Sequence, residues 1–267
     1  MELFFRKLGS GEPLIILHGL YGSSDNWYTI GRALADHHEV FMIDQRNHGL
    51  SPHSPDHNYR VMCNDLADFF IRIGINRAIF LGHSMGGKTA LAFGMEHPEK
   101  VKKMILVDIS PFAYDLTATE EANSHQHILQ GLLAIHTETI ASRGEADIIL
   151  QRFVNSLSVR QFLLKNLKRD SAGKFHWTLN LPVLAENLEG IFAGIIPEND
   201  SQSNTIPQFP LLFIKGEYSG YINKKDEALI RHLLPWSQIT TIRGAGHWIH
   251  AEQPAAFLEA VRDFIGR

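Results

Sequence analysis

Seven short apolar runs, each bounded by turn-forming residues, recur along the chain: Leu3 to Leu8, Leu14 to Leu17, Val40 to Ile43, Ala78 to Leu81, Met104 to Val107, Leu211 to Ile214 and Ile239 to Ile242. Uninterrupted apolar runs this short read as strands covered on both faces. Between most of them lie segments with helical spacing, such as Val61, Leu66, Phe69, Phe70 and Ile73, whose intervening Asn64, Asp65 and Asp68 are expected to face water. Strand followed by helix, repeated, predicts an α/β fold: right-handed crossovers, a mostly parallel sheet with helices on both faces, and functional loops at the carboxyl ends of the strands.

One interval breaks the rhythm. From Pro111 to about Thr205 no strand-like run appears, and so long a structureless loop is foreign to a compact domain. The interval therefore reads as a folded, helical insertion, with one piece carrying Ile128, Leu129, Leu132 and Leu133, the next Ile148, Ile149, Phe153 and Leu157, and a third Phe162, Leu163, Leu164 and Leu167. The division this implies is a core over residues 1–110 and 206–267 and a helical cap over residues 111–205. Leaving and re-entering at carboxyl strand ends, the cap is expected to cover the site, with the polar stretch Pro197 to Pro207 as a mobile linker.

Charge and cysteine usage narrow the partners. A formal net charge of -4 supplies no basic surface for phosphate backbones or anionic lipids, so neither nucleic acid nor membrane is expected as a partner. Cys63 is the only cysteine, which excludes an internal disulfide and any thiolate metal cluster. The amino terminus has no basic segment leading into an apolar run, and the expectation is a cytoplasmic protein.

Two chemistries can be read from Gly82-His83-Ser84-Met85-Gly86-Gly87-Lys88-Thr89. As Gly-x-Ser-x-Gly it is a nucleophile elbow, a sharp strand-to-helix turn that presents a serine hydroxyl above the sheet. As Gly-x-x-x-x-Gly-Lys-Thr it is a Walker A loop, and Asp108 at the end of Met104 to Val107 then resembles the aspartate that holds magnesium beside such loops. Against the nucleotide reading, several strands precede the motif, and two further signatures are left without a role. Leu14 to Leu17 runs into the turn His18-Gly19-Leu20-Tyr21-Gly22, where esterases place an oxyanion-binding amide. Gly244-Ala245-Gly246-His247 follows the last strand and offers a late histidine on a glycine-rich loop.

With those residues in view, the chain resembles the α/β-hydrolases, and more closely the small bacterial esterases of the YbfF type, related to the mammalian abhydrolase domain-containing group. The likeness runs over nearly the whole length. It is carried by the His18 to Ser23 turn, by Asp44-Gln45-Arg46-Asn47-His48-Gly49-Leu50-Ser51-Pro52, by Gly82 to Lys88, by Asp108-Ile109-Ser110-Pro111 and by Gly244 to Glu252. Within the insertion, Gln161 to Lys165 and Leu181 to Leu184 share it. The resemblance implies hydrolysis of a small-molecule carboxylic ester or thioester by a serine, with no metal and no organic cofactor.

Acyl-transfer chemistry assigns the roles. A serine hydroxyl is a poor nucleophile until a base takes its proton, and His247 is that base for Ser84. The developing oxyanion needs donors fixed in advance, assigned to the backbone N–H groups of Leu20 and Met85. A carboxylate must orient His247. The commonest pattern of the superfamily puts it just beyond the strand read as Leu211 to Ile214, yet the chain offers Gly216-Glu217-Tyr218-Ser219-Gly220 there, with a serine near the expected site. Asp108, after the preceding strand, is the preferred acid and Glu217 the alternative. His83 and Trp248, flanking the catalytic groups, are expected to line or brace a substrate pocket.

Other residues receive structural readings. Lys88, one helical turn beyond Ser84, is expected in an ion pair, and Arg46 and His48 are expected to brace their loop by hydrogen bonds. Among fifteen histidines, His37 with His38, His53 with His57, and His125 with His127 lack a carboxylate or cysteine at ligand spacing and read as surface residues, with His250 structural. A nucleotide hydrolase using Lys88, Thr89 and Asp108, or a silent ligand-binding protein of hydrolase fold, are the competing readings.

Overall fold

A computed structural model describes residues 1–114, 120–198 and 206–266, of which 120–122 are described in their backbone alone. All seven apolar runs form strands of one sheet: β1 (Phe5–Leu8), β2 (Glu12–Leu17), β3 (His38–Ile43), β4 (Ala78–His83), β5 (Val101–Val107), β8 (Leu211–Gly216) and β9 (Gln238–Ile242). Their order is β1-β3-β2-β4-β5-β8-β9, with β1 antiparallel to β3 and every other pair parallel. The order reverses at β2, so the crossover from β2 to β3 lies on the opposite face of the sheet from the crossovers β3 to β4, β4 to β5 and β8 to β9.

Strand periodicity sorts the core into two layers. Leu14 and Ile16 of β2, Val40 and Met42 of β3, and Ile79 and Leu81 of β4 face one side. They pack against Ile30 and Leu34 of α1 (Tyr28–Leu34) and Phe257, Val261 and Ile265 of α11 (Pro254–Ile265). The alternate residues Ile15, Leu17, Phe41 and Phe80 meet α2 (Tyr59–Ile73), α3 (Met85–Glu96) and α9 (Lys224–Leu233) on the other side. In α2 the Asn58 side chain caps the first turn by accepting from Val61 N–H, and Gly74 ends the helix at φ 74°, a conformation that favours glycine. One expectation for this helix fails. Asp65 does not face water; it is buried against the Arg46 guanidinium at 2.6 Å, so a charge on the apolar side of the helical pattern is there for a partner that only the fold supplies.

Between β5 and β8 the chain forms α4 (Glu120–Leu133), α5 (Arg143–Leu150), α6 (Leu157–Leu163), α7 (Leu181–Glu186) and α8 (Leu188–Phe192). The helical expectation is corrected in three respects. First, the interval holds an antiparallel pair, β6 (Leu167–Arg169) with β7 (Phe175–Trp177), whose three-residue strands are too short and too charged to register as apolar runs. Leu167 therefore begins a strand, while Phe153 lies beyond the end of α5 and Leu157 starts α6. Second, Ile148 and Leu157 are exposed, so the apolar pattern there overstated the buried face. Third, the interval leaves at the carboxyl end of β5 but returns to the amino end of β8, as the parallel pairing of these strands requires. The stretch Pro197 to Pro207 lies largely outside the described residues. Among the described residues no helix is long and apolar enough to cross a membrane.

Candidate active site

Loops at the carboxyl ends of β2, β4, β8 and β9 line one cavity, and the loop after β5 joins them through Asp108. Between β4 and α3, Ser84 adopts φ 52° and ψ −122°, a region that L-residues seldom visit. The strain is held by hydrogen bonds: Ser84 N–H donates to the Val107 carbonyl at 2.9 Å, and the Ser84 carbonyl accepts from Gly87 and Lys88 N–H at 2.8 and 3.2 Å. Glycine flanks the serine because backbones touch there. A Cβ on Gly86 would lie 2.5 Å from the carbonyl oxygens of Leu17 and His18, and one on Gly82 2.4 Å from that of Gly86.

Asp108 follows β5, also with positive φ (49°), and is fully buried. Its Oδ1 accepts Gly216 N–H at 3.0 Å; its Oδ2 accepts the Ser219 hydroxyl and faces His247 Nδ1 at 2.8 Å. The bond to Oδ2 places the imidazole proton on Nδ1 and leaves Nε2 without one. Burial pushes the Asp108 carboxyl up to about 7, opposed by its hydrogen bonds from Ser219 and Gly216. Burial likewise pushes His247 down to about 3, so the ring is held in its neutral, proton-accepting form. Glu217 is exposed on the same loop as Ser219, and its Oε2 accepts Gly244 N–H at 2.8 Å rather than meeting His247.

The His18 to Gly22 turn closes the third side. A Cβ on Gly19 would stand 3.0 Å from Ser84 Cβ and 2.8 Å from His83 Nδ1, so the turn lies directly against the serine. Tyr21 is held at φ 64°; its N–H donates to His48 Nε2 at 3.3 Å, while Gln45 N–H donates to His18 Nε2 at 2.9 Å. His48 Nδ1 in turn bonds the Arg46 carbonyl at 2.9 Å, and the Arg46 guanidinium is locked on Asp65. Arg46 and His48 thus brace the loop, as their sequence context suggested. Leu20 sits inside this braced turn, and Met85 opens α3 at its amino end.

Ser84, His247, Leu20, His83 and Trp248 all line one cavity of about 700 Å³. The rest of its wall comes largely from the insertion: Ile128 from α4, and Phe153, Val154 and Val159 from around α5 and α6. His83 Nε2 bonds the His247 carbonyl at 2.9 Å, so His83 both lines the cavity and braces the base.

Several sequence readings are corrected here. Among the described residues Lys88 makes no ion pair: it is fully buried, and its ammonium donates to the carbonyls of Phe112, Phe192 and Ala193 at 2.9, 3.3 and 2.6 Å, with burial pushing its pKa down to about 7. The helix carries Lys88 away from any phosphate position, and the Thr89 hydroxyl is spent on the Met85 carbonyl. The surface reading of the histidines also fails for His38 and His57, which are buried, and for His125, which lines the cavity with Nε2 2.7 Å from the Tyr221 hydroxyl. His250 is structural, stacked on Trp27 with ring centroids 4.0 Å apart. Among the described residues no group of three or more potential ligands is placed to hold a metal ion. Tyr221 escaped sequence reading altogether, because nothing local marks an aromatic residue destined to lie flat on a histidine far along the chain.

A family model described as the alpha/beta hydrolase fold matches residues 12–254, and the chain belongs to that family. It is 36% identical over 267 residues to the sn-1-specific diacylglycerol lipase ABHD11 of Danio rerio, covering 98% of this chain and 80% of that protein. It is 34% identical over 257 residues to Esterase YbfF of Escherichia coli (strain K12), covering 96% and 94%. Among solved structures, one titled "Marine microorganism esterase" superposes with a TM-score of 0.92 at 44% identity, over 98% of this chain and 99% of that one. The sequence resemblance to YbfF-type esterases is thereby borne out.

Proposed function

We propose that the protein is a serine carboxylic ester hydrolase in which Ser84, His247 and Asp108 form the catalytic triad. The observation that carries this reading is the 2.8 Å contact between Asp108 Oδ2 and His247 Nδ1, on the wall of the cavity that also holds Ser84. Asp108 fixes the tautomer, so that Nε2 accepts the Ser84 proton as Oγ attacks the substrate carbonyl carbon. The tetrahedral oxyanion is received by the N–H groups of Leu20 and Met85, either of which is worth about 3 kcal/mol of barrier. His247 then returns the proton to the departing alcohol or thiol as the carbon–oxygen or carbon–sulfur bond breaks. In the second half-reaction it takes a proton from water as the water oxygen attacks the acyl carbon, then gives that proton to Ser84 Oγ as the carbon–Oγ bond breaks and the acid leaves.

Residues 111–205 act as a cap. Ile128, Phe153, Val154 and Val159 from it supply part of the apolar wall, and a cavity of about 700 Å³ suits an acyl group of small to medium length. The nucleotide-hydrolase reading has no support, because Lys88 is enclosed by carbonyls and Asp108 is committed to His247. The test is hydrolysis of a short-chain nitrophenyl ester: Ser84→Ala is expected to lower kcat at least about a thousandfold, and a Ser84→Ala variant that keeps its activity overturns the assignment.

A further inference from the structure

The cap helix α4 reaches the catalytic end of the core through a side chain that the mechanism above leaves unused. His125 faces the Tyr221 hydroxyl, Nε2 to oxygen 2.7 Å. Tyr221 lies flat on His247, with ring centroids 4.0 Å apart and planes 20° from parallel. The Tyr221 backbone is tied at both ends: its carbonyl accepts the Tyr114 hydroxyl at 3.0 Å, and its N–H donates at 3.3 Å to Ser219 Oγ, whose hydroxyl donates to Asp108. The loop after β8, which carries no triad acid in this chain, thus contacts both the acid and the base.

An aromatic ring stacked on the imidazole has two consequences. It opposes rotation of His247 away from Asp108 on one side and from the cavity on the other. Its π face also favours the imidazolium that forms when Ser84 loses its proton. Both depend on the angle at which Tyr221 is held, and a bond at the far end of its ring fixes that angle. We propose that His125 is a positioning residue: through the Tyr221 hydroxyl, the cap holds the stacked ring, and with it His247, in the orientation that hydrolysis requires. The proposal rests on the hydrolase reading and assigns to the cap a part in the proton transfer as well as in substrate fit.

The bond is removed from either side by His125→Phe and Tyr221→Phe, the second of which keeps the stacked ring and its volume. Each is expected to lower kcat for a short-chain nitrophenyl ester about tenfold with KM changed less than twofold. His125 Nδ1 also faces the Tyr21 hydroxyl at 3.4 Å, so the double variant is expected to lose less than the product of the two single effects, because both remove the same His125–Tyr221 bond. A rise in KM at unchanged kcat would make His125 a wall of the acyl pocket and nothing more, and effects that multiply in the double variant would mean that the two residues act independently; each result overturns the proposal. A substrate-free arm reads the same point: the downfield proton resonance of the His247–Asp108 bond is expected to broaden in both single variants relative to the parent protein. If it is unchanged in both, the proposal fails even where the parent hydrolyses esters, whereas a parent protein without ester hydrolysis counts against the hydrolase reading alone.

Discussion

The core and the insertion organise the same cavity by different means. In the core, Leu14, Ile79, Ile105 and Phe213 have no exposed surface, and the site loops spring from strand ends whose positions the sheet dictates. The insertion is an assembly of five helices and a hairpin of three-residue strands among the described residues, docked in part by polar ties. Lys88 binds carbonyls at its two ends, Asn166 Nδ2 donates to the Tyr21 carbonyl at 2.8 Å, and His125 meets Tyr221. The core supplies reactive groups with little freedom to move. The insertion supplies wall and alignment through contacts that single substitutions remove.

The largest expected effect separates the two candidate acids of the core. Asp108→Asn loses the carboxylate that selects the His247 tautomer and is expected to lower kcat about 10³- to 10⁴-fold. Glu217→Gln, which alters only a loop bond to Gly244, is expected to stay within about twofold of the parent. The reverse order would mean that the 2.8 Å geometry at Asp108 is not the catalytic one.

Acid should attack the core's catalytic end in particular. Burial lowers His18 to about 4, and His48, His57, His125 and His247 to about 3, all but His125 in core loops. A histidine whose folded pKa is depressed contributes stability that is complete above about 6.5 and is lost as pH falls toward the folded value, because the unfolded chain binds the proton first. Asp108 and Asp44, raised by burial, act in the opposite sense over the same window. Burial also lowers His38, His83 and His250, so the lowered histidines outnumber the raised carboxyls and a progressive net loss of stability is expected as pH falls below about 6.5. Urea unfolding at pH 7, 6 and 5 measures it, and a stability that is flat across that range would contradict the burial of these rings as neutral species.

The tie between core and insertion is tested by Lys88→Met, which keeps the length of the side chain and removes its donors. Three carbonyls, two of them buried, then lose a partner, and a loss of about 2 to 3 kcal/mol in unfolding free energy is expected. An unchanged urea midpoint would mean that the insertion docks by its apolar contacts alone.

How much of this was legible in the sequence follows from the same contrast. The five inner strands were readable because a strand covered on both faces is largely apolar, the edge strands β1 and β9 only from shorter apolar pieces, and the gathering of Ser84 and His247 at one cavity, with Asp108 bonded to His247, was foreseeable because loops at carboxyl strand ends meet whatever the side-chain packing. Lys88 was misread because a buried ammonium can be satisfied by carbonyls as well as by a carboxylate, and carbonyls leave no mark in a sequence. Asp65 was placed in water for a similar reason, its Arg46 partner lying on another element. The hairpin β6–β7 was missed because Leu167 to Arg169 carries two cations in three residues. His125 and Tyr221 show the limit most clearly, since their relation exists only once α4 has been laid over the loop after β8.

The central claim, that His247 held by Asp108 activates Ser84, is tested most directly by tryptic mass spectrometry of the protein after treatment with a fluorophosphonate. The account predicts one adduct, on Ser84, whose rate of formation falls sharply in Asp108→Asn and little in Glu217→Gln. A protein that takes up no label at Ser84, or takes it up as fast without the Asp108 carboxylate as with it, would contradict the account.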